Sequence, residues 1–296
     1  MTQAEALTER APAKLNLCLH VGPRRADGYH DIESLIVFTE LGDRLTARLA
    51  PDLSLSIEGP FGAALAADDP QDNLVMRAAQ ALRSAAGVSK GAHLTLHKVL
   101  PVASGMGGGS ADAAAALRLL QRLWGVRLPQ PQIEALAFAL GADVPACLRA
   151  QPVLAKGAGE TLEPAPAPPA APVVLVNPGV ATSTRDVFKV FDTHNGGEKN
   201  RSAIMPDRFD GFVDFKRFIE SSYNNLTDAA IETTPEIGQI LQRLQAVAPE
   251  SIVRMSGSGA TVFAVCEQQG DAQALAAELM AAQPNWWVRA TVLRGA

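Results

Sequence analysis

Pro101 to Ala115 reads PVASGMGGGSADAAA: an apolar approach, four glycines in the five positions from Gly105 to Gly109, then Ser110 and an alanine-rich run. Glycines in such a row let the backbone take positive φ and come close to a ligand without a Cβ in the way. The run from Ala111 to Trp124 (ADAAAALRLLQRLW) predicts a helix. Its free N–H groups and positive dipole end favour an anion by ~0.3–1 kcal/mol per exposed charge. Strand, glycine loop and helix start together predict a phosphate cradle. It is not a Walker A loop, because no Gly-Lys-Ser/Thr ends it, nor a dinucleotide fingerprint, because Ser110 stands where the third glycine or alanine belongs. Ser110 suits two compatible roles, a helix cap or a ligand to Mg²⁺ on the phosphates. Asp112 reads as a favourable acid near the helix start rather than a metal ligand.

Working outward, the 296 residues are 47% hydrophobic and 19% charged, which excludes a disordered chain and suits one large or two modest domains. Thirty-one acids against 26 bases leave a net charge of −5, so no global field favours nucleic acid, and an anionic ligand must be held by local groups. Cys18, Cys147 and Cys266 each lie in an apolar stretch with no zinc spacing, and read as buried thiols in a reducing compartment. The N-terminus lacks the basic-then-apolar order of a signal peptide, and no segment approaches the ~18–20 apolar residues of a membrane helix. The expectation is a soluble, cytoplasmic protein with neither nucleic-acid nor membrane partners. Oligomeric state is not legible.

Strand-like stretches run from Lys14 to Val21, Leu35 to Thr39 and His93 to Val99. Leu45 to Ile57 reads as a hairpin about Pro51-Asp52. Helical spacing covers Asn73 to Ala86, with Asp72 or Asn73 as cap, and Pro131 to Leu140, ending at Gly141. From Glu163 the chain changes to EPAPAPPAAP, a stiff connector. It marks a boundary between residues 1–163 and 164–296. Beyond it VVLVN predicts a buried strand, Pro235–Val247 and Gly270–Ala282 helices, Ile252–Val265 a strand, glycine turn and strand, and Trp286–Leu293 a last strand. His194 to Asp210, with Gly196-Gly197, reads as a polar loop. The second half is thus of α+β type.

Phosphoryl transfer to a hydroxyl needs a base or orienting carboxylate and a cation near the transferring group. Asp143, in GADVP, and Lys14, in APAKLN, have the right chemistry, though from composition alone a turn aspartate and a snorkelling lysine are the favoured readings, and spacing does not show that the two meet. Met255 to Thr261 (MSGSGAT) is either a hairpin turn or a backbone nest for an anion.

APAKLNL, RRADGYH, DNLV, LPVASGMGGGSADAA, LGADVP, KGAGE and SGSGAT, in this order from Ala11 onward, resemble the GHMP small-molecule kinases over nearly the whole chain. The resemblance implies a two-domain α+β GHMP kinase architecture: a ribosomal-protein-S5-domain-2-like N-terminal part and a ferredoxin-like α/β sandwich after it. It also implies ATP and Mg²⁺. DGYH points to members that phosphorylate the 2-hydroxyl of a cytidyl-diphosphate-linked methylerythritol, a small-molecule substrate. By the same resemblance Asp143 is the base, and Lys14 orients the hydroxyl. Pro101, Val102, Ala103, Ser104, Gly105, Met106, Gly107, Gly108, Gly109, Ser110 and Ala111 form the ATP phosphate loop, with Lys98 and Asn73 near the adenosine. Tyr29 and His30 recognise cytosine, Phe188 closes over it, and Asn16 and Thr184 line the substrate side. Stacking of this kind is worth ~1–3 kcal/mol per base.

Ala111 replaces a serine often found after the glycines, removing one hydroxyl. Asn224-Asn225-Leu226-Thr227 stands where an Asn-Asp-Leu-Glu type run is common. Two alternatives remain: another GHMP kinase acting on homoserine, mevalonate or a sugar, and a nucleotide-binding regulator without the reaction. DGYH with Phe188 disfavours the first, and intact Lys14, Asp143 and glycine loop disfavour the second.

Overall fold

A computed structural model describes residues 6–66, 69, 71–194 and 205–295. The described residues form two compact units that interleave along the sequence: those within 6–13, 42–102 and 107–150 make one, and those within 14–41, 103–106 and 151–295 the other. A single cut at 163/164 does not describe this grouping. The strands β1 (Leu7–Asn16) and β3 (His30–Ala50) each pass from one unit into the other.

In the first unit, residues 44–50 of β3 pair antiparallel with β5 (Gly91–His97), and β5 pairs parallel with β4 (Leu53–Glu58). The expected hairpin over 45–57 is therefore not formed, because β5 lies between its two arms. Two parallel neighbours need a crossover, and the short helix α1 (Gly62–Ala66) and α2 (Leu74–Ala85) supply it. The Pro51-Asp52 turn steps over the end of β5 at Gly91, where a Cβ would lie 2.5 Å from the Asp52 carbonyl oxygen. Gly91 thus makes room for the turn that looked like a hairpin.

The long helix α3 spans Gly108–Trp124, starting three residues before the expected Ala111, and is followed by α4 (Gln130–Leu140) and α5 (Val144–Arg149). Ala111 and Ala113 to Ala116 are all buried, and α3 packs on α2, α4 and α5. Small side chains allow that close approach. Arg118 of α3 donates to the carbonyls of Cys147 and Leu148 at 2.8 and 3.3 Å, taking up C-terminal acceptors of α5.

In the second unit, β2 (His20–Arg24) and β6 (Val153–Gly157) pair with residues 30–36 of β3, and β7 (Thr161–Pro164) pairs with β6. The expected strand over 14–21 is thus two strands, broken after Asn16. A separate sheet has the order β11 (Trp287–Val292), β8 (Pro172–Asn177), β10 (Val262–Val265), β9 (Ile252–Met255), all antiparallel. With α6 (Thr184–Thr193), α7 (Phe212–Glu220), α8 (Thr227–Thr233), α9 (Glu236–Val247) and α10 (Gln269–Ala282), this is the ferredoxin-like order. Both faces of β8 are buried, as its unbroken apolar run requires.

The three cysteines are free and buried. Gly196-Gly197, with residues 195–204 of the expected polar loop, lies outside the described residues. Among the described residues no helix is long and apolar enough to cross a membrane.

Asn73 is the N-cap of α2, its Oδ1 accepting from Val75 N at 2.9 Å. Asn73→Ala should therefore cost about 1 kcal/mol in chemical denaturation, and Asn73→Ser should recover most of it. Equal stability of all three proteins would contradict the cap.

Candidate active site

Four consecutive carbonyls of the glycine loop are held by separate donors of the second unit. Ala103 O accepts from Thr182 N at 3.3 Å, Ser104 O from Thr261 N at 3.0 Å, Gly105 O from Ser256 Oγ at 2.9 Å and Met106 O from Lys14 N at 2.9 Å. In a trans peptide the N–H of the next residue points opposite the carbonyl. The N–H groups of Ser104, Gly105, Met106 and Gly107 therefore point away from those donors. Positive φ recurs at every second residue, 50° at Ala103, 76° at Gly105 and 62° at Gly107, the alternation that gathers successive N–H groups into an anion-binding concavity. Gly105 is required twice over, since a Cβ there would also lie 2.6 Å from the Gly259 carbonyl oxygen.

The second glycine cluster is a six-residue connection between β9 and β10, and Thr261 N and Ser256 Oγ tie it to the first loop at Ser104 O and Gly105 O. Asn224, which lacks a charge, is buried and donates from Nδ2 to Met255 O and Gly257 O at 3.0 and 2.8 Å. Asn225 accepts from Val21 N at 2.7 Å. These contacts make SGSGAT a buttress for residues 104 and 105.

Chain continuity carries the loop into α3. Gly107 occupies the N-cap position and Ala111 N closes the first turn on Gly107 O at 2.8 Å, so Ser110 is the third helical residue rather than the cap. Lys98 is 2% exposed and donates from Nζ to Asp43 Oδ2 at 2.5 Å and to Asp112 Oδ2 at 2.7 Å. Its ammonium is thus engaged inside the first unit, at the start of α3, where a Cβ on Gly108 would be 3.0 Å from it. Burial works against its charge, but the two carboxylates outweigh that and hold its pKa above the ordinary value. Asp43 Oδ1 accepts from Val99 N and Leu100 N at 2.6 and 2.9 Å, whereas Asp112 Oδ1 is buried without a hydrogen-bond partner. Burial pushes the Asp112 carboxyl up to about 7, the Lys98 ammonium pulling it back and the Asp43 carboxylate adding to the rise.

Lys14 is buried, and its Nζ donates to Asn16 Oδ1 at 2.9 Å. Asn16 N donates to Ser256 Oγ at 3.2 Å, so the strand bearing both residues is tied to the turn that holds the loop. Asp143, half-buried, precedes α5, its carbonyl accepting from Cys147 N at 3.1 Å. Its backbone is therefore fixed by the helix that Arg118 secures.

Around DGYH the aromatic side chains differ in setting. Tyr29 is 62% exposed and presents a face to solvent. His30 is buried, its ring centroid 5.2 Å from Phe188 and 5.8 Å from Phe191. Its Nδ1 lies 2.9 Å from Gly22 O. Its Nε2 lies 3.2 Å from Asp192 Oδ1, a buried oxygen for which the described residues supply no hydrogen bond. Thr184 shares a 2.8 Å hydrogen bond with Ser258 of the SGSGAT turn. Asp43, Asp192 and Ser256 were not singled out from sequence. Asp43 carries no sequence signal, because LGDR between the strand-like stretches 35–39 and 45–57 reads as a turn.

The loop thus has tied-down carbonyls and alternating positive φ, a backbone form suited to an anion. Residues 73–151 match the family of the GHMP kinases N terminal domain, and residues 210–285 that of the GHMP kinases C terminal domain. The 4-diphosphocytidyl-2-C-methyl-D-erythritol kinase of Hyphomonas neptunium is 47% identical over 100% of this chain and 99% of its own. A crystal structure of 4-(cytidine 5'-diphospho)-2C-methyl-D-erythritol kinase is 32% identical, covers 98% of this chain and 100% of its own, and superposes with a TM-score of 0.78. The chain belongs to the 4-diphosphocytidyl-2-C-methyl-D-erythritol kinase family. A homoserine kinase from Cytophaga hutchinsonii, at 18% identity, TM-score 0.70, and coverage of 100% of this chain and 96% of its own, shares the fold.

The buried triad sets a pH dependence. Below 3.8 Asp112 is protonated in both states; between 3.8 and about 7 the folded protein keeps a proton that the unfolded chain releases, so its contribution falls as pH rises through that window. Asp112→Asn cannot ionise and should lose less stability than the wild type over this range. Parallel stability curves would contradict the assignment.

Proposed function

We propose that the protein transfers the γ-phosphoryl group of ATP to the 2-hydroxyl of 4-diphosphocytidyl-2-C-methyl-D-erythritol, a step of non-mevalonate isoprenoid synthesis. The observation that carries this reading is the loop whose four carbonyls are tied down while its N–H groups face away. Those N–H groups bind the ATP phosphates, and they do so without reorganising when charge shifts during transfer. Lys14, fixed through Asn16, holds the acceptor hydroxyl, and its ammonium offsets negative charge as the oxygen attacks. Asp143 receives the hydroxyl proton. Ser110, half-buried in the first turn of α3, offers the hard oxygen that Mg²⁺ takes alongside phosphate and water ligands. When bound, Mg²⁺ neutralises charge on the β- and γ-phosphates.

The exposed face of Tyr29 stacks on the cytosine, with Phe188 on the same site. His30, clamped between Gly22 O and Asp192, supports the wall against which the base rests. Thr184 and Asn16 contact the remainder of the substrate. Asn73 and Lys98 act on the adenosine side from within their structural contacts, one by starting α2 and the other by holding the start of α3.

The direct assay is ADP release by the purified protein with the cytidyl substrate, homoserine, mevalonate and a hexose offered separately. Only the first should sustain turnover; sustained release with one of the others would overturn the reading. Asp143→Asn should leave Mg·ATP affinity within about twofold and lower kcat by roughly 10²–10⁴, the range of a lost general base. Near-normal kcat in that variant would remove Asp143 from the role. Tyr29→Ala should raise KM for the cytidyl substrate by roughly tenfold or more with little change for ATP. An equal rise for ATP would move Tyr29 out of the cytosine site.

A further inference from the structure

Three hydrogen bonds behind Lys14 have only one possible direction. Ser34 is fully buried on β3, and its hydroxyl lies 2.6 Å from Cys18 O, a carbonyl that can only accept. The Ser34 proton is therefore spent there, and the hydroxyl oxygen is left as an acceptor. Asn16 Nδ2 donates to it at 2.7 Å. At the other end an ammonium can only donate, so Lys14 Nζ requires the carbonyl oxygen of the Asn16 amide, which it meets at 2.9 Å. Both ends thus dictate the same orientation of the Asn16 amide. A flipped amide would set an N–H₂ against the Lys14 ammonium and an oxygen against a hydroxyl oxygen with no proton left to give.

We propose that Ser34 is a positioning residue for phosphoryl transfer, holding the Asn16 amide in the one orientation that directs the Lys14 ammonium. This rests on the role given to Lys14 above. Ser34 itself touches neither substrate. Its main-chain pairing with Ala155 on β6 does not involve the hydroxyl, so the side chain can be changed without altering the strand register. Without the hydroxyl, Asn16 loses its acceptor, Cys18 O loses its donor, and the amide is free to turn toward the competing orientation. Displacing a reacting group by about 1 Å can lower turnover by roughly a hundredfold.

The test is a double-mutant cycle of Ser34→Ala, Asn16→Ala and the pair, read as kcat and KM for both substrates, with thermal melting of each protein. Ser34→Ala should lower kcat by roughly tenfold or more with KM for ATP nearly unchanged, and the pair should be no slower than Asn16→Ala alone. If Ser34→Ala does not fold, Ser34→Cys carries the same test, since a thiol is a poor acceptor. A folded Ser34 variant with wild-type kcat would overturn the proposal, as would losses that multiply in the pair. A readout independent of turnover is the Lys14 Nζ resonance of protein labelled with ¹⁵N-lysine: it should shift in the Ser34 variant and in no variant of an exposed serine such as Ser54. An unshifted resonance overturns the proposal even if the cytidyl compound proves not to be the substrate. Absence of wild-type turnover with that compound counts against the proposed function instead.

Discussion

The second unit is organised around a run of four backbone carbonyls. Residues 103–106 are a loop rich in small residues, and ordering each costs about 1–2 kcal/mol of backbone entropy. Four hydrogen bonds, each worth about 1 kcal/mol net, offset much of this. Their four donors come from three places in the sequence: Lys14 on β1, Thr182 before α6, and Ser256 and Thr261 of the SGSGAT turn. Strand β1, the turn between β9 and β10, and the approach to α6 are thereby fixed to one short segment. Because the carbonyls face those donors, the amide protons have to face the other way, and the phosphate role proposed for residues 104–107 rests on that single geometric fact.

The net charge of −5 makes the same point from electrostatics. The overall field does not attract a triphosphate, so in the proposed reading affinity comes from aligned N–H groups and the N-terminus of α3. Lys98 does not add a free cation to that set, since its charge is taken up by Asp43 and Asp112 inside the first unit. A buried pair of carboxylates around one lysine leaves an excess negative charge, and the partly unpartnered Asp112 is where a proton relieves it. What that lysine supplies is a fixed start to α3.

Most helices and the glycine loop were readable because their signals are local. Asn73, the spacing of apolar residues in α2 and α3, and glycines that a helix interior would not tolerate all act within a few residues. The hairpin misreading over 45–57 has a long-range cause: nothing near Pro51-Asp52 announces that β5, some 40 residues on, will insert between the two strands. The same holds for the grouping of the chain, because β1 and β3 each serve two compact units while the proline connector only suggests a break. At the site, residue types and motifs marked Lys14, Asp143, Asn16 and the loop. They could not reveal that SGSGAT is tied to the loop, that Lys98 is consumed by two aspartates, or that Ser34 completes a chain to Lys14. Those facts depend on side chains brought together across 14 to 151 positions of sequence.

The proposed role of the amide protons of residues 104–107, holding the ATP phosphates, is open to direct measurement. Glycine-selective ¹⁵N labelling places two reporters in that segment, Gly105 and Gly107, and their amide signals can be followed as Mg·ADP is added. Hydrogen bonding to phosphate predicts that both proton resonances move strongly downfield in step with nucleotide occupancy. Saturation with nucleotide that leaves both resonances where they were would contradict the account.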